Sequence, residues 1–198
     1  LMRKKLILNI KKLECKRTSR IIFKPISFKI NEGSLTLVKG RNGIGKTTLL
    51  HCIAGLIPFK GEINWNIDLK FIGYVGHKIG MKEYETVNDF IIFCKNIYNF
   101  KINIKNIIDL FSLQKVIYTP LGLLSFGQKK KLSFVRLYLC RTKLWLLDEP
   151  FSGMDKKNKE IISKIIEEHL ACKGAIILSS HEQIKILDKY NKKELIIV

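Results

Sequence analysis

No apolar run in this sequence is long enough to cross a membrane as a helix. Lys, Asn or Asp interrupts every stretch of Ile, Leu and Phe in the 198 residues, whereas a membrane-spanning helix needs about 18 consecutive apolar residues. The basic stretch 1–13 has an apolar centre of only Leu6, Ile7 and Leu8, which is too short for a signal peptide. We therefore expect a chain that does not span a bilayer and has a strand near its start.

Cysteines suited to pairing are also lacking. The five cysteines are odd in number, and no two of them have C-x-x-C spacing. Free thiols are the usual state of cysteine in a reducing compartment. The pattern therefore favours a protein of the cytosol without a disulfide framework.

Acidic residues are scarce, with 17 Asp and Glu against 36 Lys and Arg and a formal net charge of +19. Such an excess suits a nucleic-acid partner or, more weakly, an anionic membrane surface. Only six of the basic residues are Arg, and the Lys residues are scattered among abundant Ile and Asn. This composition indicates an AT-rich coding sequence rather than a binding face, so we expect no nucleic-acid partner.

The chain has no internal repeat and no Ser/Gly-rich linker, which predicts a single domain over residues 1–198. Two predicted strands, Leu6–Leu13 and Ile21–Ile30, should both lie at a sheet margin, and Pro25 suits an edge strand. Alternating strand and helix patterns then favour a mostly parallel sheet covered by helices. Further strands are predicted at 34–39, 61–65, 71–75, 144–147 and 175–178, and helices at 46–56, 87–98, 104–111, 125–141 and 156–170. Residues 78–122 form a predicted helical lobe inserted into a core of residues 1–77 and 123–198.

A glycine-rich loop between a predicted strand and a predicted helix carries the strongest chemical signal. The loop matches the P-loop pattern G-x-x-x-x-G-K-[ST] with Gly40, Arg41, Asn42, Gly43, Ile44, Gly45, Lys46 and Thr47. Glycines let successive backbone N–H groups converge on phosphate oxygens at the start of the following helix. Lys46 is predicted to reach the β- and γ-phosphates, Thr47 to ligate Mg²⁺, and Thr48 to support the α-phosphate region.

Two carboxylates follow the apolar strand Leu144–Leu147, as in the Walker B segment of P-loop proteins. Asp148 lies at the predicted strand tip, where it can address Mg²⁺. Glu149 can act as a general base or orient the attacking water. A solvated turn is the alternative for Asp-Glu-Pro alone, and the P-loop earlier in the chain argues against it.

Leu124-Ser125-Phe126-Gly127-Gln128 begins another predicted helix. Ser125 and Gln128 have the spacing of a capping box, so the motif also reads as an ordinary helix start. With the P-loop and the carboxylate pair, this L-S-x-G-Q string resembles the signature motif of the ATP-binding cassette family. The resemblance implies the family's P-loop NTPase fold, with a mostly parallel core sheet, an antiparallel N-terminal β subdomain and a small inserted helical lobe.

The same resemblance implies ATP hydrolysis with Mg²⁺ by a pair of such domains. Ser125, Gly127 and Gln128 would close on the ATP held by the opposite subunit, so the partners are a second nucleotide-binding domain and integral membrane subunits. His181 matches the position of the family's switch histidine, and Asp155 matches the D-loop. His77 occupies the position where most family members have the Q-loop glutamine.

Several strings resemble the branch of ATP-binding subunits in haem exporters for cytochrome c maturation. They are Gly55-Leu56-Ile57-Pro58, Gly61-Glu62-Ile63-Asn64-Trp65, Tyr74-Val75-Gly76-His77 and Gly80-Met81-Lys82. That branch implies a haem-transporting ATPase on the cytoplasmic face of a bacterial inner membrane. The alternatives are a transporter for lipoprotein, lipid or drug and, less favoured, a DNA-maintenance ATPase. In DNA-maintenance ATPases long coiled coils usually separate P-loop and signature, whereas only about eighty residues separate them here.

Overall fold

The computed structural model describes residues 5–17, 20–76, 80–98, 101, 103–180 and 192–197. The strands are β1 (Leu6–Arg17), β2 (Arg20–Asn31), β3 (Leu35–Lys39), β4 (Lys60–Trp65), β5 (Ile72–Val75), β6 (Leu144–Asp148), β7 (Ala175–Ser179) and β8 (Lys192–Ile196). The helices are α1 (Lys46–Ile53), α2 (Val87–Ile97), α3 (Ile104–Leu110), α4 (Phe126–Leu139) and α5 (Lys156–Ala171). Short 3-10 turns lie at Leu69–Phe71, Gln114–Val116 and Leu121–Leu123.

The chain divides into two compact units. The first contains Leu1–Gly76, Thr142–Pro150 and Glu167–Val198, and the second contains His77–Arg141 and Phe151–Ile166. Within the part of the chain that the structure describes, no helix is long and apolar enough to cross a membrane.

A small antiparallel sheet in the first unit has the strand order β2-β1-β4. Among the described strands, β2 pairs only with β1, so the edge position predicted from Pro25 is confirmed. The same prediction for β1 is wrong, because β1 pairs with β2 on one side and with β4 on the other. Strand β4 follows α1 in sequence but pairs with β1. That pairing depends on tertiary packing rather than on the local sequence pattern.

The second sheet of this unit is parallel, with the order β5-β6-β7-β3-β8. Strands β6 and β7 are buried along their whole length, as their continuous apolar sequences predict for a parallel sheet. The sequence patterns missed β8, whose Lys-Lys-Glu start does not read as a strand. All five strands end at one edge of the sheet, which is where ligands bind in open parallel sheets.

Helix α1 packs into a core that both sheets share. Leu49, Leu50, Cys52 and Ile53 are completely buried in that core. The helix ends at Ile53 rather than at the predicted Leu56. Gly55 adopts a φ of 71°, and the N–H groups of Gly55 and Leu56 donate to the carbonyls of Cys52 and His51. This hydrogen-bond pattern is a Schellman motif, which ends helices at a glycine in the left-handed conformation.

In the second unit, α2 packs against α4. Thr86 and Asp89 form a capping box at the start of α2, and Thr86 also pairs with Pro120 in an isolated antiparallel bridge. The Lys131 ammonium of α4 donates to the carbonyl of Ser112 at 3.3 Å. These contacts tie the segments on both sides of α3 together.

His169 of α5 makes the stability of the first unit sensitive to acid. Its ring stacks on Trp145 with centroids 3.8 Å apart, and burial lowers the pKa of His169 to about 4. A histidine with a lowered pKa binds its proton more readily in the unfolded chain than in the folded one, so its contribution is present above about pH 6.5 and is lost as the pH falls toward 4. We expect the unfolding free energy to drop by up to about 3 kcal/mol over that window, measured by urea denaturation. His169→Phe keeps a flat ring on Trp145 without a titrating nitrogen, and equal pH profiles for variant and wild type would contradict the assignment.

Candidate nucleotide-binding site

The predicted P-loop connects the end of β3 to the start of α1. Gly45 precedes the helix with a φ of 109°, in the region that favours glycine. A Cβ on Gly45 would lie 2.7 Å from Cγ2 of Ile22, and one on Gly40 would lie 2.7 Å from Cγ2 of Ile44. The loop is therefore tightly wound, and Arg41, Asn42 and Gly43 at its outer turn are exposed. No described side chain caps the start of α1, so its first N–H groups remain available to an anion.

Lys46 folds back over this loop. Its ammonium donates hydrogen bonds to the carbonyls of Gly40 at 2.9 Å and Arg41 at 3.2 Å, and the side chain is buried. Burial lowers the pKa of Lys46, while the charges of Glu149 and Asp148 oppose that shift. The Lys46 ammonium therefore contacts the loop carbonyls and lies close enough to Glu149 and Asp148 for their charges to influence its pKa.

Thr47 and Asp148 lie 101 positions apart in sequence and are in direct contact. The Thr47 hydroxyl donates to Oδ2 of Asp148 at 2.7 Å, and Asp148 is only 5% exposed. Two oxygens that ligate one Mg²⁺ at 2.0–2.1 Å in neighbouring octahedral positions are about 2.9 Å apart. The separation and the all-oxygen chemistry of this pair therefore fit a magnesium ion.

Glu149 has an unusual backbone conformation. Its φ is 48°, a left-handed conformation that is uncommon for residues other than glycine and clusters at functional sites. Its N–H donates to the carbonyl of Ser179 at 3.1 Å and approaches the Ser179 hydroxyl at 3.2 Å. The chain therefore turns sharply between the two carboxylates, and Glu149 remains half-buried.

Three residues around the site were not identified from the sequence. The Ser179 hydroxyl donates to Oδ1 of Asp148 at 2.5 Å. On β5, which pairs with the Asp148 strand β6, the Tyr74 hydroxyl lies 2.9 Å from Nε2 of His51 in α1. Burial, with a smaller effect of Asp148, raises the pKa of Tyr74 to about 12, so the phenol is protonated at neutral pH. Their positions at the ends of β5 and β7 are the signal that could have found Tyr74 and Ser179, because parallel strands end at one edge.

The signature segment begins α4 as the capping-box spacing predicts. The Ser125 hydroxyl accepts from the N–H of Gln128 at 3.2 Å, and Oε1 of Gln128 accepts from the N–H of Ser125 at 2.8 Å. Ser125 is exposed, whereas Gly127 is buried. The capping box is confirmed, and it leaves the serine accessible.

Asp155 lies in the same unit as the signature segment and caps α5. Its carboxylate accepts from the backbone N–H of Asn158 at 2.7 Å. Two residues earlier, Gly153 lies against the start of α4, where a Cβ on Gly127 would be 3.0 Å from the Gly153 carbonyl oxygen. The structure therefore brings the predicted signature and D-loop segments together.

Two predicted site residues, His77 and His181, lie outside the described residues. Their assignment to the Q-loop position and to the switch position stays a prediction from sequence.

Comparison with known proteins identifies a family and relatives that this chain resembles. A profile of the ABC transporter family matches residues 23–152. The cytochrome c biogenesis ATP-binding export protein CcmA of Haemophilus influenzae is 34% identical over 192 residues, which cover 89% of this chain and 90% of that protein. CcmA of Legionella pneumophila is 39% identical over 175 residues, with coverages of 83% and 88%.

Solved structures show the same fold. An ATP-binding subunit of an ABC transporter superposes with a TM-score of 0.85 at 22% identity, over 96% of this chain and 85% of that one. An ATP-binding cassette of an ABC transporter in its ADP conformation superposes with a TM-score of 0.78 at 18% identity, with coverages of 98% and 89%. The expected fold class, a P-loop NTPase with a parallel core sheet and an antiparallel subdomain, is confirmed.

Proposed function

Because this chain belongs to the ABC transporter family, we propose that it hydrolyses ATP for the haem exporter that serves biogenesis of c-type cytochromes. The contact between Thr47 and Asp148 carries the ATPase assignment, since it joins the P-loop to the carboxylate strand in the first unit. Similarity to CcmA proteins over most of the chain supports the haem exporter over transporters of lipoprotein, lipid or drug.

The P-loop binds the triphosphate in this proposal. Backbone N–H groups of the loop and the positive end of α1 surround the β- and γ-phosphate oxygens, and Thr48 supports the α-phosphate region. Lys46 exchanges its hydrogen bonds with the loop carbonyls for phosphate oxygens, so its charge is placed before the substrate arrives. Thr47 and Asp148 would hold Mg²⁺, which supplies neutralisation of charge on the phosphate oxygens.

Glu149 is the catalytic base in this proposal. It accepts a proton from, or orients, the water that attacks the γ-phosphorus in line with the leaving oxygen. Its backbone N–H is held by Ser179, which fixes the point from which the side chain extends. His181, which matches the switch position in sequence, would contact the γ-phosphate.

The second unit supplies the other half of the reaction in trans. We propose a homodimer in which Ser125, Gly127 and Gln128 of one chain close on the ATP bound to the P-loop of the other, with Asp155 nearby. His77 and the helical lobe 78–122 then pass the closure from the nucleotide-binding core, residues 1–77 and 123–198, to integral membrane subunits. In this proposal the protein works at the cytoplasmic face of a bacterial inner membrane, which the similarity to CcmA proteins supports.

The proposal is tested by depleting the protein and measuring covalent haem in c-type cytochromes. We expect haem to fall, to return with the wild-type chain or with the exposed control Glu62→Gln, and not to return with Glu149→Gln. Normal haem after depletion would reject the haem exporter and leave the ATPase assignment in place. Full rescue by Glu149→Gln would reject hydrolysis as the function of this site.

A further inference from the structure

Ser179 is buried beside the two carboxylates without being one of the predicted site residues. It is the last residue of β7, is 0% exposed, and lies opposite Asp148 in the parallel register of β6 and β7. A hydroxyl buried in an otherwise apolar strand requires hydrogen-bond partners. The partners of Ser179 therefore show what the hydroxyl does.

The hydrogen bonds of Ser179 use the donor and an acceptor position of its hydroxyl. Its single proton goes to Oδ1 of Asp148 at 2.5 Å, so the contact with the N–H of Glu149 at 3.2 Å must be one in which the hydroxyl oxygen accepts. The carbonyl of Ser179 accepts from the same N–H at 3.1 Å. One residue thus binds the side chain of Asp148 and the backbone of Glu149.

The bond to Asp148 determines which carboxylate oxygen faces the P-loop. Oδ1 is held by Ser179 and Oδ2 by Thr47, so the carboxylate plane is fixed from two sides. Hydrogen bonds from outside a metal site commonly orient its ligands and change metal affinity. Without the serine hydroxyl, Oδ1 would lose this hydrogen bond, and the orientation of the carboxylate would be less restricted.

The bonds to Glu149 hold a backbone conformation that the residue would otherwise avoid. A φ of 48° is unfavourable for a glutamate and persists only where surrounding contacts impose it. The Glu149 N–H donates to both the carbonyl and the hydroxyl oxygen of Ser179. The position of the Glu149 side chain therefore depends on the end of β7.

We propose that Ser179 is the positioning residue for both carboxylates, orienting Asp148 toward the magnesium position and Glu149 toward the attacking water. The inference rests on the proposed ATP hydrolysis and adds a residue to it. Ser179 touches neither substrate nor metal in this role and acts through its two neighbours.

A matched set of variants tests the hydroxyl separately from the volume of the side chain. Ser179→Thr keeps the hydroxyl and Ser179→Val has nearly the same shape without it, so any strain from the added methyl groups is shared. Ser179→Ala removes the hydroxyl without added volume. Ser163→Ala removes another buried hydroxyl, which donates to the carbonyl of Lys159 within α5 at 2.6 Å.

We expect Ser179→Ala and Ser179→Val to lower kcat about 10- to 100-fold, the usual range for the loss of such an orienting hydrogen bond. Ser179→Thr and Ser163→Ala should remain close to wild type. Calorimetry with the β,γ-imido analogue of ATP gives a second readout. The Ala and Val variants should lose affinity in Mg²⁺ but retain it in EDTA, because Lys46 and the loop are unchanged.

Two results would overturn the inference. Equal kcat and equal Mg²⁺-dependent affinity for the Thr and Val variants would show that the hydroxyl has no orienting role. Equal losses in Mg²⁺ and in EDTA, with a lowered melting temperature, would show that Ser179 contributes packing alone. A wild-type chain that neither binds nor hydrolyses ATP would instead reject the proposed function, so the two failures are distinguishable.

Discussion

Replacing Glu149 with Gln should lower the rate of ATP hydrolysis by at least about a hundredfold, the low end of what a positioned general base contributes. Gln has the same shape and cannot accept the proton from the attacking water. The hydrogen bonds from the Glu149 N–H to Ser179 do not involve the Glu149 side chain, so the turn at φ 48° is preserved. Steady-state ATPase measurements on the purified chain, with and without its membrane partners, give the rate.

ATP binding by the same variant should persist, because the P-loop and Asp148 are unchanged. The proposed dimer should then accumulate with ATP trapped in it, and light scattering at saturating ATP would detect the doubled mass. Glu62→Gln is a matched control, since Glu62 is exposed and pairs with Lys11 across the antiparallel sheet. Monomers at saturating ATP would contradict the two-chain site, and an unchanged rate would contradict the base.

The contact between Thr47 and Asp148 was predictable from sequence, although 101 positions separate the two residues. The P-loop follows a strand, the carboxylates follow another, and both strands are apolar enough for a parallel sheet. Strands of such a sheet end at the same edge. The sequence therefore predicts that Thr47 and Asp148 lie close together, but it does not predict the register of β3, β6 and β7.

Ser179 and the left-handed conformation of Glu149 were not predictable in the same way. Both depend on the in-register pairing of β6 with β7, which places a hydroxyl beside a carboxylate through tertiary structure alone. A serine at the end of Ala-Ile-Ile-Leu reads as the first residue of a loop. Only the hydrogen bonds show that it belongs to the site.

Errors in the fold prediction have similar physical causes. The length of α1 depends on Gly55, whose left-handed φ ends the helix before the apolar Leu56. Periodicity alone would continue it, because Leu56 has the correct spacing. Strand β8 was missed because backbone pairing with β3 outweighs the low strand propensity of its charged residues.

Replacing Lys46 with Met should weaken ATP binding about 10- to 100-fold, as expected for the loss of hydrogen bonds from a charged group to phosphate oxygens. Met keeps the apolar stem of the side chain and removes the ammonium. Calorimetric titration with the β,γ-imido analogue of ATP measures the affinity. Lys11→Met is the control, because Lys11 is exposed and pairs with Glu62 on the antiparallel sheet rather than with the loop.

The same substitution should not destabilise the nucleotide-free fold, which separates a functional cation from a structural one. Burial lowers the pKa of Lys46 even though Glu149 and Asp148 oppose the shift, so the charged form is less favourable in the folded state than in the unfolded chain. Removing the charge relieves that cost, and the two loop carbonyls that lose a donor lie beside exposed residues. We therefore expect Lys46→Met to melt at or above the wild-type temperature while binding ATP poorly. A lower melting temperature would show that the ammonium holds the loop together, and the weaker binding would then follow from a disordered loop rather than from a lost phosphate contact.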